Sequence, residues 1–173
     1  MDTLDGLLQR GEVTLLETLA DGKLKEATAI GIVRRPIDDV YAKLADFGAY
    51  ENWMPQVDDS TVVSRDGNTM IVDISIGVVG PNVNFRQRVD LDPVAHRIEA
   101  SWVSGALEGS HWTWELQPHA EGTLAYRRLH AKVIDGNWVL RQVEDENHTL
   151  EYGINTATGI IEIRGLKKAL GVR

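Results

Sequence analysis

"VRRPIDDVYAKLADFGAYENWMPQVDDSTVV", residues 33–63, holds the change of period on which the fold turns. Ile37, Val40, Tyr41, Leu44 and Phe47 recur at three- and four-residue steps, which places them on one face of a helix. Pro36 suits a first helical position, where a missing N–H costs nothing. Asp38 and Asp39 complement the positive N-terminal end, and Gly48 suits the stop. The spacing predicts a helix of about eleven residues. Tyr50, Trp53 and Met54 then crowd a second short turn or helix that ends at Pro55. So much apolar area on a connection either anchors it to the core or lines the mouth of a pocket.

On both sides of this stretch the pattern is that of strands. Residues 2–10 predict a short helix with Leu4, Leu7 and Leu8 on one side and Gly11 past its end. "EVTLLETL" (12–19) and "LKEATAIGIV" (24–33) flank Asp21-Gly22 and predict a β-hairpin. From about 57 to 134 the chain predicts an antiparallel meander, with turns at "RDGN" (65–68), "DPVAH" (92–96) and "HAEGT" (119–123). Val83, Phe85, Gln87 and Val89 alternate with Asn84, Arg86, Arg88 and Asp90. Ile98, Ala100 and Trp102 share a face, as do Trp112, Trp114 and Leu116. "LAYRRLHAKVI" (124–134) predicts the last strand.

The helical period then returns. Asn137 to Leu170 predicts one long helix, capped by Asn137, with an apolar stripe of Leu140, Val143, Asn147, Leu150, Ile154, Ala157 and Ile161. Gly153 and Gly159 each weaken it by about 1 kcal/mol relative to alanine. A sheet with one apolar face must be covered, and this helix is the only element long enough to do so. The expected architecture is α+β: a helix-grip fold, with a curved antiparallel sheet wrapped around a long C-terminal helix. Residues 1–173 are expected to form one domain, with a core of about 27–170 and an N-terminal helix-and-strand extension over 1–26.

Composition narrows the function. The chain has 173 residues, 43% hydrophobic and 25% charged, within the range of globular proteins. It has no cysteine, which excludes disulfides, thiolate metal sites and a cysteine nucleophile. A net charge of −8 argues against nucleic acid as a partner and against anionic membranes. The arginine pairs in "VRRP", "FRQR" and "YRRL" are expected on solvated surface. No run approaches the ~20 apolar residues that span a bilayer, and the first residues carry an early acid, so a cytoplasmic protein is expected.

Val33, Pro36, Val40, Tyr41, Leu44, Asp46, Tyr50, Trp53, Pro55 and Val57 stand at steps that resemble the opening of the START-like, or SRPBCC, superfamily. The nearest branches are the polyketide cyclase/dehydrase group and the coenzyme Q-binding group. The resemblance extends over about residues 27–170 and implies a cavity between sheet and helix, with the connection after the first helix near its opening. This superfold hosts carriers, cyclases and hydrolase-like members, so it implies fold more sharply than function.

The residues expected to face inward, and so to bind a ligand, are Val72, Ile74, Ile76, Phe85, Gln87, Val89, Ile98, Ala100, Trp102, Trp112 and Trp114, with Val143, Asn147, Leu150 and Ile154 from the helix. Tyr50, Trp53 and Met54 are expected at the cavity entrance. The three tryptophans suit either a wall for a flat apolar ligand or plain core packing. Gln87 and Asn147 would be the few polar groups in a mostly apolar pocket. Glu144, His148 and Glu151 share a helical face but lack matching ligands from a second element, and are expected to be solvated. No Gly-x-Ser-x-Gly elbow is present, and "GVVGPN" (77–82) is not followed by a helix, so it is a turn and not a phosphate loop. No metal or cofactor is expected.

Three functions follow. The first is binding or transport of a hydrophobic small molecule: a lipid, sterol, isoprenoid quinone or polyketide. The second is an enzyme of the polyketide aromatase/cyclase kind, with Tyr126, Arg86, Arg88, His111, His130 and Asp73 as candidates for proton transfer. The third is a protein-interaction module resting on an exposed patch around Tyr50, Trp53 and Met54.

Overall fold

In the computed structural model, which describes residues 3–77, 82–105, 109–130 and 150–172, a short helix α1 (Thr3–Leu8) precedes a hairpin of β1 (Val13–Thr18) and β2 (Leu24–Val33). Helix α2 (Ile37–Ala45) and a 3-10 helix (Phe47–Asn52) follow. Six further strands come next: β3 (Val57–Asp66), β4 (Thr69–Ile76), β5 (Val83–Asp92), β6 (Arg97–Gly105), β7 (His111–His119) and β8 (Gly122–His130). The last element is α3 (Leu150–Ala169). All pairings are antiparallel, in the order β1-β2-β8-β7-β6-β5-β4-β3. This is the expected α+β helix-grip architecture, and the N-terminal hairpin extends the sheet through β1.

The topology explains the apolar connection. β2 and β3 are consecutive, yet they lie near opposite edges of the sheet. The chain between them must cross from one to the other, and it does so over apolar surface. Val40, Leu44, Phe47 and Tyr50 are buried along it. Phe47 stacks on Tyr50 with centroids 4.5 Å apart. The Tyr50 hydroxyl donates to the Leu44 carbonyl at 2.5 Å, and the Ser60 hydroxyl on β3 donates to the Phe47 carbonyl at 2.7 Å. Burial pushes the Tyr50 phenol far above its usual pKa, so it acts as a neutral anchor.

Alternation sorts the strands cleanly. In β5, Val83, Phe85, Gln87, Val89 and Leu91 are buried while Asn84, Arg86 and Arg88 are exposed. The opposite face of β2 and β8 is covered by α1: Leu8 packs on Ile30 and Ile32, beside Leu124 and Tyr126.

The face that α3 turns to the sheet differs from expectation. Its buried positions are Asn155, Gly159, Ile163, Gly165 and Leu166. Ile154 is only half-buried and Ile161 is 37% exposed. Close approach is the reason. A Cβ on Gly159 would lie 2.7 Å from the Ala29 Cβ, and one on Gly31 would lie 2.8 Å from the Ile163 Cγ2. A Cβ on Gly165 would collide with the Pro55 ring. The helix therefore meets β2 through glycines, which a search for large apolar residues passes over. Asn137 to Thr149, including Leu140, Val143 and Asn147 of the expected stripe, lies outside the described residues.

Polar contacts fix the C-terminal part of α3. Glu12, before β1, accepts from Arg164 Nε and Lys167 Nζ, each at 2.8 Å. At the C-terminus, Val172 N–H donates to the Lys167 carbonyl and Gly171 N–H to the Lys168 carbonyl, with Gly171 at φ 69°. The Arg35 guanidinium closes this end by donating to the Leu170 carbonyl at 2.9 and 3.1 Å.

Candidate functional site

A cavity of about 300 Å³ lies between the concave face of the sheet and α3. Strands β4 to β8 line it with inward-facing side chains: Ile74 and Ile76 from β4, Phe85 and Gln87 from β5, Trp102 from β6, Trp112 and Trp114 from β7, and Arg127 and Leu129 from β8. Helix α3 adds Ile154, Ala157, Thr158, Ile161 and Glu162. Tyr50, Met54, Pro55, Gln56 and Val57 complete the described wall.

The stripe of Ile154, Ala157 and Ile161 thus faces the cavity, whereas the glycine stripe faces β2. Val72, Val89, Ile98 and Ala100 lie on the expected face of the sheet but do not line the cavity. They belong to the packed core that also takes Val40 and Leu44 of α2. Alternation reports which face a residue is on and not which end of that face is filled. Leu150 is half-buried and is not among the lining residues, while Val143 and Asn147 lie outside the described residues.

Tyr50 and Met54 are buried in the wall, and Trp53 does not line it. The Trp53 ring faces outward enough to take the Lys43 ammonium 5.1 Å from its centroid. The exposed apolar patch on which an interaction module would rest is therefore absent at Tyr50 and Met54.

The cavity contains an ion pair that alternation makes legible in hindsight. Arg127 is in phase with Thr123, Ala125 and Leu129, so it points inward, while Arg128 points out. Its side chain is 4% exposed. The guanidinium lies 4.4 Å from the Trp112 ring centroid and 5.3 Å from that of Trp114. Glu162 accepts from both Arg127 Nε and Nη2. This bidentate pair, held between α3 and two indoles, is a charged site in an otherwise apolar wall. "YRRL" thus splits between the two faces and does not lie wholly on solvated surface.

The remaining polar groups are neutral. Trp112 Nε1 donates to Gln87 Oε1 at 3.1 Å. Gln87 Nε2 and Trp102 Nε1 are buried without a hydrogen-bond partner among the described residues.

None of the six residues expected to transfer protons lines the cavity. Asp73 and Arg86 pair with each other at 2.6 and 2.7 Å, and that hydrogen bonding holds the Asp73 carboxyl below its usual pKa. Arg88 pairs with Asp90 at 2.9 Å. The His111 and His130 rings stack 5.5 Å apart, and Tyr126 packs beneath α1. All six alternate with inward residues, which puts them on the opposite face. Of the Glu144, His148 and Glu151 face, only Glu151 is within the described residues, which contain no group of three His, Cys, Asp or Glu able to hold a metal. No described helix is long and apolar enough to cross a membrane.

Residues 33–146 match the family model described as polyketide cyclase / dehydrase and lipid transport. Among solved structures, a STAR-related lipid transfer protein from Xanthomonas axonopodis is similar at a TM-score of 0.70 and 17% identity, over 93% of this chain and 94% of that one. TTHA0849 from Thermus thermophilus is similar at 0.68 and 19% identity, over 83% and 94%. The Zhui aromatase/cyclase from Streptomyces sp. R1128 is similar at 0.57 and 14% identity, over 94% and 99%. No curated protein matches the chain.

Proposed function

This chain belongs to the polyketide cyclase/dehydrase and lipid transport family, and from that premise we propose that it binds or carries a hydrophobic small molecule between sheet and α3. The observation that carries the proposal is the cavity itself: about 300 Å³, walled by indole, phenyl and aliphatic groups, with few polar atoms. Three indoles on one concave surface suit a flat apolar body such as a polyketide, quinone or sterol. The similar structures support the same choice, one being a lipid transfer protein and another an aromatase/cyclase by name.

Native mass spectrometry of the purified chain, followed by solvent extraction, tests this. The expected result is one apolar adduct per chain, or one-to-one uptake of an added polycyclic probe that Ala157→Phe abolishes by filling the space. A probe bound equally well by Ala157→Phe would place binding elsewhere and end the proposal.

A second reading, an enzyme of the aromatase/cyclase kind, is favoured by one observation. The Arg127–Glu162 pair gives the cavity both a cation to stabilise a developing enolate oxygen and a carboxylate able to accept a proton. Turnover of a poly-β-ketone mimic that Glu162→Gln eliminates, with the mimic still bound, would establish it. Binding without turnover would leave the carrier.

A further inference from the structure

We propose that Gln87 and Trp102 form a carbonyl-binding subsite, so that the ligand is a neutral molecule whose flat apolar body carries a carbonyl oxygen. The inference rests on the cavity being a ligand site, and adds which chemistry it selects.

Gln87 on β5 and Trp102 on β6 are partners in the strand register, so their side chains leave the same face as neighbours. Both line the cavity. Gln87 is 0% exposed and Trp102 is 7% exposed. The orientation of the amide follows from chemistry. An indole N–H only donates, so Trp112 Nε1 requires the Gln87 oxygen, and their 3.1 Å contact turns Nε2 away from Trp112. Gln87 Nε2 then offers two hydrogens and Trp102 Nε1 a third, and neither nitrogen has an acceptor among the described residues. Buried donors are costly to leave unpaired. A carbonyl oxygen, with two lone pairs and no hydrogen, complements such a set.

Charge decides between a carbonyl and a carboxylate. The cation in the wall, Arg127, is already engaged by Glu162, so an anion would lose its hydration to meet a neutralised pair and apolar rings. Phe85 stands edge-on to Trp102, with centroids 5.1 Å apart and planes at 72°, and closes the apolar surface beside the donors.

The test uses two rigid tricycles of one outline, 9-fluorenone and fluorene, which differ by the carbonyl oxygen. Titration of the full chain by tryptophan quenching is expected to show fluorenone binding at least about tenfold more tightly. The bound fluorenone carbonyl stretch should move to lower frequency than in hydrocarbon solvent, a readout that needs no variant. Gln87→Met and Trp102→Phe should each shrink the ratio of fluorenone to fluorene affinity and the carbonyl shift. Trp102→Phe leaves the Gln87–Trp112 bond intact, so it remains informative if Gln87→Met fails to fold. Equal affinities with an unshifted carbonyl would overturn the subsite while leaving the cavity reading in place. Failure of both tricycles to bind the folded chain would overturn the cavity reading, and the subsite with it.

Discussion

Two stripes of one helix behave in opposite ways. Along the first, Gly159 and Ile163 of α3 touch Ala29 and Gly31 of β2 with no room for an added methyl. Along the second, Ile154, Ala157 and Ile161 face the indoles of β6 and β7 across a cavity of about 300 Å³. Between them stands the Arg127–Glu162 pair, which ties β8 to the helix where contact gives way to space. The contrast shows how a hollow survives beside a packed core. The helix is pinned along β2, and the sheet curves away from it, so its aromatic side chains face a gap they do not fill.

The largest expected effect comes from the boundary. Glu162→Leu leaves the Arg127 charge buried without its partner and should lower stability by about 3–5 kcal/mol, measured by denaturant unfolding. Arg127→Met combined with Glu162→Leu should recover most of that loss. If the single change costs under about 1 kcal/mol, the pair does not hold β8 to the helix.

On the pinned stripe, Gly159→Ala should destabilise by about 1–3 kcal/mol through overpacking against Ala29, despite alanine's better helix propensity. Gly153→Ala is the control. Its Cβ would meet nothing within 4 Å, so it should stabilise by up to about 1 kcal/mol. Opposite signs in the two melting shifts sharpen the comparison, and equal signs break it.

A pH effect on the same stripe should be of similar or smaller size. Burial raises the Glu12 pKa, but hydrogen bonds from Lys167 and Arg164 outweigh it, so the net shift is downward. The carboxylate's contribution is therefore complete above the ordinary Glu pKa and disappears as pH falls through the lowered one. Glu12→Gln should cost about 1–2 kcal/mol near neutral pH and progressively less in acid, as unfolding from pH 7 to pH 3 would show. A loss that does not vary with pH would assign Glu12 a packing role only. The smallest stability effect belongs to the hollow: Ala157→Phe should change the unfolding midpoint little, because its side chain enters empty space.

How much of this was legible depends on the kind of signal. The helix from Pro36, the tyrosine–tryptophan–proline connection and the strand alternation identify the helix-grip fold, because periods of 3.6 and 2 are local consequences of backbone geometry. Alternation likewise puts Ile74, Phe85, Gln87, Trp102, Trp112 and Trp114 on the concave face, and the same rule, applied to "YRRL", turns Arg127 inward. It does not separate those residues from Val72, Val89, Ile98 and Ala100, which share the face but belong to the packed core and not to the cavity wall. Nor does it foretell that glycines, which weaken a helix in isolation, form the buried stripe of α3. Local pattern dictates the faces of strands and helices. Which stretch of a face is covered, and how closely, depends on the placement of elements far apart in the chain, and here steric fit between β2 and α3 settled it.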